Sequence, residues 1–108
     1  MTRKTVLIVE DESIVALDLK QRLIRMGFDV LDIVSSAESA LQAVARTTPD
    51  LIFLDIRLKG DVDGVKLGMQ LRRSLGVPII FLTAMTDSET MRRARAVRPA
   101  GFLIKPFD

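Results

Sequence analysis

The 108 residues are 48% apolar and 28% charged with a formal net charge of +2, a composition that suits one globular domain and a charge too small to imply a nucleic-acid partner by itself. Cysteine and histidine are both absent, which excludes disulfides, thiolate chemistry, imidazole-based zinc sites and histidine as general base or nucleophile. No apolar run approaches the roughly 18 residues of a membrane span and the N-terminus is not leader-like, so a cytoplasmic location is expected.

Thr5-Val6-Leu7-Ile8-Val9 is a continuous apolar, β-branched run that stops at Glu10-Asp11-Glu12, the pattern of a strand followed at once by three acids. From Ser13 to Met26, Ala16, Leu19, Leu23 and Met26, flanked by Leu17 and Ile24, recur at helical spacing, and Gly27 is the stop. Val30, Ile33 and Val34, with Asp29 and Asp32 interleaved, mark a shorter strand nearer a sheet edge. Ser35-Ser36-Ala37-Glu38 has the form of a capping box, and Ala37, Ala40, Leu41, Val44 and Ala45 form the helical stripe behind it. Thr47-Thr48-Pro49-Asp50 breaks that helix.

Leu51-Ile52-Phe53-Leu54-Asp55 is apolar at every position until its terminal carboxylate, the signature of a strand buried on both faces of a parallel sheet. A loop holding Gly60 follows, and a helix opened by Asp63 or Gly64 places Leu67, Gly68, Leu71 and Leu75 inward until Gly76-Val77-Pro78. Ile79-Ile80-Phe81-Leu82 is a third fully apolar strand and finishes on Thr83. Thr86 to Glu89 fits a capping box for a helix that runs to about Val97 and carries Arg92, Arg93 and Arg95, with Arg98 nearby. Gly101-Phe102-Leu103-Ile104 is a last short strand ending on Lys105-Pro106. Strands alternating with helices over short connections predict an α/β fold, a doubly wound parallel sheet with right-handed crossovers.

The most apolar strands each end on a polar residue: Glu10 and Asp11, then Asp55, Thr83 and Lys105. In a parallel sheet these ends share the rim where ligands bind. Carboxylates packed together repel one another and raise their pKa values, so the cluster calls for a divalent cation. Oxygen-only ligands select a hard ion, Mg²⁺ before others. A lysine and a hydroxyl opposite suit a phosphoryl group, with one carboxylate left as the attacking oxygen.

In these motifs the sequence resembles a response-regulator receiver domain, the chemotaxis-regulator-like phosphoacceptor module of two-component signalling. Val9-Glu10-Asp11-Glu12, Leu54-Asp55-Ile56, Asp63-Gly64, Leu82-Thr83-Ala84 and Lys105-Pro106-Phe107 keep the family's order over about Thr5 to Phe107. The resemblance implies a flavodoxin-like five-stranded sheet of order 2-1-3-4-5 and a single domain over residues 1–108. It also implies that the chain stops at Asp108 before the family's fifth helix, leaving one sheet face, with Val6, Ile8 or the central strand, uncovered.

By resemblance, Asp55 is the phosphoacceptor. Asp11 and Asp55 bind Mg²⁺ directly, Glu10 holds it through water, and the Arg57 backbone carbonyl completes the protein ligands. Lys105 pairs with the phosphoryl oxygens, Thr83 and the Ala84 backbone N–H hydrogen-bond them, Phe102 is the switch aromatic, and the Lys105–Pro106 bond is cis. The loop from Asp55 to Gly64, with Lys59-Gly60, is one residue longer than the common form. An apolar Met85 two residues past Thr83 cannot orient a hydrolytic water, which predicts slow self-dephosphorylation.

The implied partners are a sensor histidine kinase or phosphotransfer protein on one side, and a downstream protein or fused output domain docking on the fourth helix and fifth strand on the other. No recognition-helix module for DNA is present, and an acidic protein suits the arginine-bearing helix better. Neither direct nucleic-acid binding nor membrane contact is expected, while a homodimer is compatible. Glu12 reads as a solvated acid at a helix N-terminus, and Asp61 and Asp63 as loop solvation and an N-cap. The alternative on the same fold is a pseudo-receiver, a constitutive interaction module that is never phosphorylated. An aspartyl-intermediate phosphatase lacks a visible second acid and cap, and a flavodoxin-like cofactor binder lacks a phosphate loop after the first strand.

Overall fold

The computed structural model describes residues 3–58, 63–84 and 87–107. Along the chain run β1 (Thr5–Val9), α1 (Ser13–Arg25), β2 (Asp29–Val34), α2 (Ala37–Arg46), β3 (Leu51–Asp55), α3 (Gly64–Leu75), β4 (Ile79–Thr83), α4 (Ser88–Ala96) and β5 (Gly101–Ile104). The strands form one sheet in the order β2-β1-β3-β4-β5, and every neighbouring pair is parallel. The doubly wound architecture and the strand order expected from the motifs are therefore those of the structure. β2 lies at an edge as expected, but at six residues it is the longest strand, not a short one.

The two faces of the sheet are filled differently. Leu7, Val9, Ile52, Leu54, Ile79 and Phe81 meet Ala40 and Ala43 of α2, Leu67 and Leu71 of α3 and Ala94 of α4 in one cluster of buried side chains. Val6, Ile8, Phe53 and Leu82 on the other face meet Ala16, Leu19 and Leu23 of α1 together with Phe107. Val6 and Ile8 are fully buried and Phe53 nearly so, which corrects the expectation that this face is bare. Phe107 closes over it because Arg22 on α1 donates to the Phe107 carbonyl at 3.0 Å and lies 6.0 Å from its ring centroid. Among the described residues, the large apolar side chains that remain exposed are Ile14, Leu17, Ile24 and Met26 along α1 and its C-cap, Leu31 on β2 and Ile104 on β5.

Several local expectations shift by a few residues. Met26 is the C-cap of α1 and points to solvent, because the helix ends there and the chain turns at Gly27. In α2 Ala43, not Ala45, is buried, since Ala43 lies one turn from Ala40 on the core side. The capping box is Ser36 with Ser39, not Ser35 with Glu38: Ser36 Oγ accepts the Ser39 N–H, and Ser39 Oγ accepts the Ser36 N–H, both at 3.1 Å. Asp63 caps α3 through the Lys66 N–H at 2.8 Å, as anticipated. α4 is capped by Asp87 through the Thr90 N–H at 2.8 Å, while Thr86, the expected cap, lies outside the described residues along with Lys59, Gly60, Asp61 and Met85.

Candidate functional site

Parallel pairing puts the carboxyl ends of β1, β3, β4 and β5 on one rim, and backbone hydrogen bonds just past three of them fix how they meet. The Glu10 N–H donates to the Val34 carbonyl, the Ile56 N–H to Leu82 and the Lys105 N–H to Thr83, at 2.9, 3.0 and 2.7 Å. The chain therefore leaves β1, β3 and β5 still tied to a neighbour. α3 begins directly behind Asp55, where the Gly64 N–H donates to the Ile56 carbonyl at 2.9 Å. A Cβ on Gly64 would overlap the carbonyl oxygen of Asp55, so glycine lets the helix start this close to the strand end.

Lys105 Nζ is the centre of the arrangement. It donates to Glu10 Oε1 at 3.0 Å, Asp55 Oδ2 at 3.1 Å and Glu12 Oε1 at 3.3 Å, matching the three donors of an ammonium to three carboxylates. Glu10 and Asp55 are buried, and only 9% of the Lys105 side chain is exposed. The remaining oxygens are also engaged: Glu10 Oε2 accepts the Glu12 N–H at 3.0 Å and Asp55 Oδ1 accepts the Arg57 N–H at 2.9 Å. The backbone turning away from β1 and β3 thus aims both carboxylates inward.

Charge in this cluster is unbalanced. Oxygens of Glu10, Asp11, Glu12 and Asp55 all lie within 4.8 Å of one another, and one ammonium faces these four acids. Burial pushes the Glu10 carboxyl up to about 7, with Asp55 adding to the rise against the pull of the Glu12 N–H and Lys105. Burial acts to lower the Lys105 pKa, but its bonds to Glu10 and Asp55 outweigh that and hold it above its usual value. The ammonium stays charged, while Glu10 is protonated more readily than an ordinary glutamate. Such a set of hard oxygen donors with surplus negative charge fits a divalent cation of the Mg²⁺ class.

Beside the acids lies a cavity of about 240 Å³ lined by Glu12, Asp55, Ile56, Arg57, Thr83, Ala84 and Lys105. It brings two acids, an ammonium, a buried hydroxyl-bearing residue and the chain around Ala84 to one small volume. Glu10 and Asp11 face a different recess, shared with Ser13, Ser35 and Ser39. The sequence-derived residues therefore come together, with Asp55 shared between the acid cluster of Glu10 and Asp11 and the cavity lined by Arg57, Thr83, Ala84 and Lys105.

Phe102 stands apart from the rim. It pairs with Phe81 across β4 and β5, and the two rings stack with centroids 5.9 Å apart and planes 28° from parallel. Thr83 is two residues beyond Phe81 on the same strand and so shares its face. The Lys105–Pro106 bond is cis, as the resemblance implied. Glu12, read from sequence as merely solvated, touches Lys105; its place two residues after Glu10 was the available signal. Two further ion pairs escaped the sequence altogether: Arg57 with Asp87 at 3.5 Å and Arg93 with Asp63 at 3.0 Å.

Comparison with known proteins agrees with this geometry. The family model described as the response regulator receiver domain matches residues 6–108, and the chain belongs to that family. Among curated relatives, the transcriptional regulatory protein PdtaR of Mycobacterium tuberculosis is 28% identical over 97% of this chain and 51% of its own length. The DNA-binding response regulator MtrA of the same species is 34% identical over 97% of this chain and 45% of its own. The chain thus spans about half the length of these relatives. Among solved structures, the signal receiver domain of a modulated diguanylate cyclase from Desulfovibrio desulfuricans G20 superposes with a TM-score of 0.92 at 38% identity, covering 99% of this chain and 85% of that one. No helix among the described residues is long and apolar enough to cross a membrane.

Proposed function

We propose that this domain is a phosphorylation-controlled signalling switch in which Asp55 takes a phosphoryl group from a phosphohistidine on a sensor kinase or phosphotransfer protein. The observation that carries the proposal is the Lys105 ammonium held between buried Glu10 and Asp55, 3.0 and 3.1 Å away, on the wall of a cavity of about 240 Å³. Asp11, Asp55 and the Arg57 carbonyl would hold Mg²⁺ directly and Glu10 through water. When bound, the ion offsets the surplus charge of the acids and the charge that develops on the transferred group.

The rest of the chemistry belongs to the chain. An Asp55 oxygen attacks phosphorus while the donor's P–N bond breaks, and the imidazole leaves with the bonding pair. The Arg57 N–H and Lys105 fix the orientation of the Asp55 carboxylate before attack, so the entropic part of the barrier is met in advance. Lys105 then turns a donor from carboxylate to phosphoryl oxygen, a charge-assisted bond that costs no new burial. The Thr83 hydroxyl and the Ala84 N–H serve oxygens on the opposite side.

The product carries roughly −1.5 to −2 charges if it resembles other phosphorylated side chains. Movement of Thr83 toward it vacates space beside Phe81 on the same face, into which Phe102 packs more deeply. The α4–β5 surface changes accordingly and is read by a downstream protein or by a fused output domain, as the description of MtrA as DNA-binding would suit. Incubation with Mg²⁺ and a small acyl-phosphate donor, followed by intact mass, tests this. One added phosphate on the wild type and none on Asp55→Asn is expected; no addition to either chain would leave a constitutive interaction module as the reading.

A further inference from the structure

The N-termini of α3 and α4 are joined by two ion pairs that cross. Arg57, in the loop leading to α3, reaches Asp87, the N-cap of α4, at 3.5 Å. In return Arg93 of α4 reaches Asp63, the N-cap of α3, at 3.0 Å. Each aspartate also holds its own helix: Asp87 Oδ1 accepts the Thr90 N–H and Asp63 Oδ1 the Lys66 N–H, both at 2.8 Å. The cap of each helix is thus shared with an arginine from the neighbouring element. At the far end of α4, Arg72 of α3 donates to the Val97 carbonyl at 3.1 Å, so α4 is tethered at both ends to the α3 side.

One of these tethers starts at the reaction centre. The Arg57 backbone N–H holds Asp55 Oδ1, and Arg57 lines the same cavity as Asp55, Thr83 and Lys105. Its guanidinium approaches Asp87 at a long 3.5 Å with most of the side chain exposed, a geometry worth little in water. A phosphoryl group in that cavity carries more charge and accepts an arginine through two parallel bonds. We infer that Arg57 is an exchangeable tether: it holds the Asp87 cap of α4 while Asp55 is unmodified and transfers to the phosphoryl group when Asp55 is modified, releasing the first turn of α4.

This inference rests on the phosphoacceptor reading and adds a second route from Asp55 to α4, separate from Thr83 and Phe102. It assigns the Arg57 side chain as a positioning residue for α4. Because Arg93–Asp63 and Arg72–Val97 remain, the helix loosens at its first turn and stays docked elsewhere.

Hydrogen exchange of the α4 amides with and without Mg²⁺ and beryllofluoride, a phosphoryl mimic, tests the exchange of partners. Asp87→Asn is the informative variant, since asparagine caps a helix about as well as aspartate but removes the charge that pairs with Arg57. In the wild type, beryllofluoride should speed exchange in the first turn of α4 by about two- to fivefold, the range expected for one exposed pair. Asp87→Asn should exchange that fast without the mimic and respond little to it. High salt should bring the unliganded wild type toward the variant. Wild-type exchange rates in unliganded Asp87→Asn, or a first turn of α4 unmoved while segments around Asp55 become protected, would overturn the inference alone. Failure of beryllofluoride to protect the Asp55 segment would instead overturn the phosphoacceptor reading beneath it.

Discussion

The upper ends of the strands and the layers just below them are built on opposite terms. At the rim, Glu10 and Asp55 are as buried as core residues yet repel one another, and the Lys105 ammonium is outnumbered. One step down, Leu54, Phe81 and Leu82 are fully buried and lie in two apolar clusters. The lower region supplies stability without specificity for any ligand, and the rim spends part of it to keep charges close. The same five strands serve both because a parallel sheet separates its ends from its middle.

The largest effect should come from breaking the lower region. Phe81→Ala removes a fully buried ring that packs on Gly68 and Phe102 and should cost about 3–5 kcal/mol in urea unfolding. The rim should respond in the other direction. Folded Glu10 keeps a proton that an ordinary glutamate releases, so the wild type loses stability as pH rises from about 4.5 to about 7. Glu10→Gln lacks that loss and should be more stable than wild type at pH 8 without Mg²⁺, by on the order of 1–3 kcal/mol, with the advantage gone near pH 4.5. A rim variant less stable than wild type at pH 8 would erase the contrast between rim and core.

Metal should sharpen it further. Mg²⁺ at tenfold its dissociation constant should add about 1.4 kcal/mol to wild-type stability at pH 8, less at pH 6 where Glu10 holds its proton, and far less in Asp11→Asn. The smallest change is expected where neither region is involved. Ile104→Ser, on an exposed β5 residue, should shift unfolding by no more than about 0.5 kcal/mol.

Fold and site were legible to different depths. Runs such as Leu51–Asp55 and Ile79–Thr83 announce buried parallel strands, and once the strands are parallel Glu10, Asp11, Asp55, Thr83 and Lys105 have to meet at one edge. Helix caps were less legible because neighbouring residues compete: Ser35 and Ser36 both suit a cap, as do Thr86 and Asp87, and only backbone direction decides. The burial of Val6 and Ile8 could not be read, since it depends on Phe107 being drawn under α1 by Arg22. Side-chain reach was equally hidden. Nothing in the spacing of Arg57 and Asp87 marks them as neighbours, because the crossovers that join them are set by tertiary packing.

Gly64 gives one of these contacts a wider meaning. The first helical residue of α3 lies against the main chain of Asp55, leaving room for a hydrogen and nothing larger. Any side chain added at that position must push the Asp55 peptide sideways and disturb the aim of its carboxylate, however well the helix tolerates the change. The buried carboxylate of Asp55 is thus calibrated from behind, by a residue that has no side chain of its own.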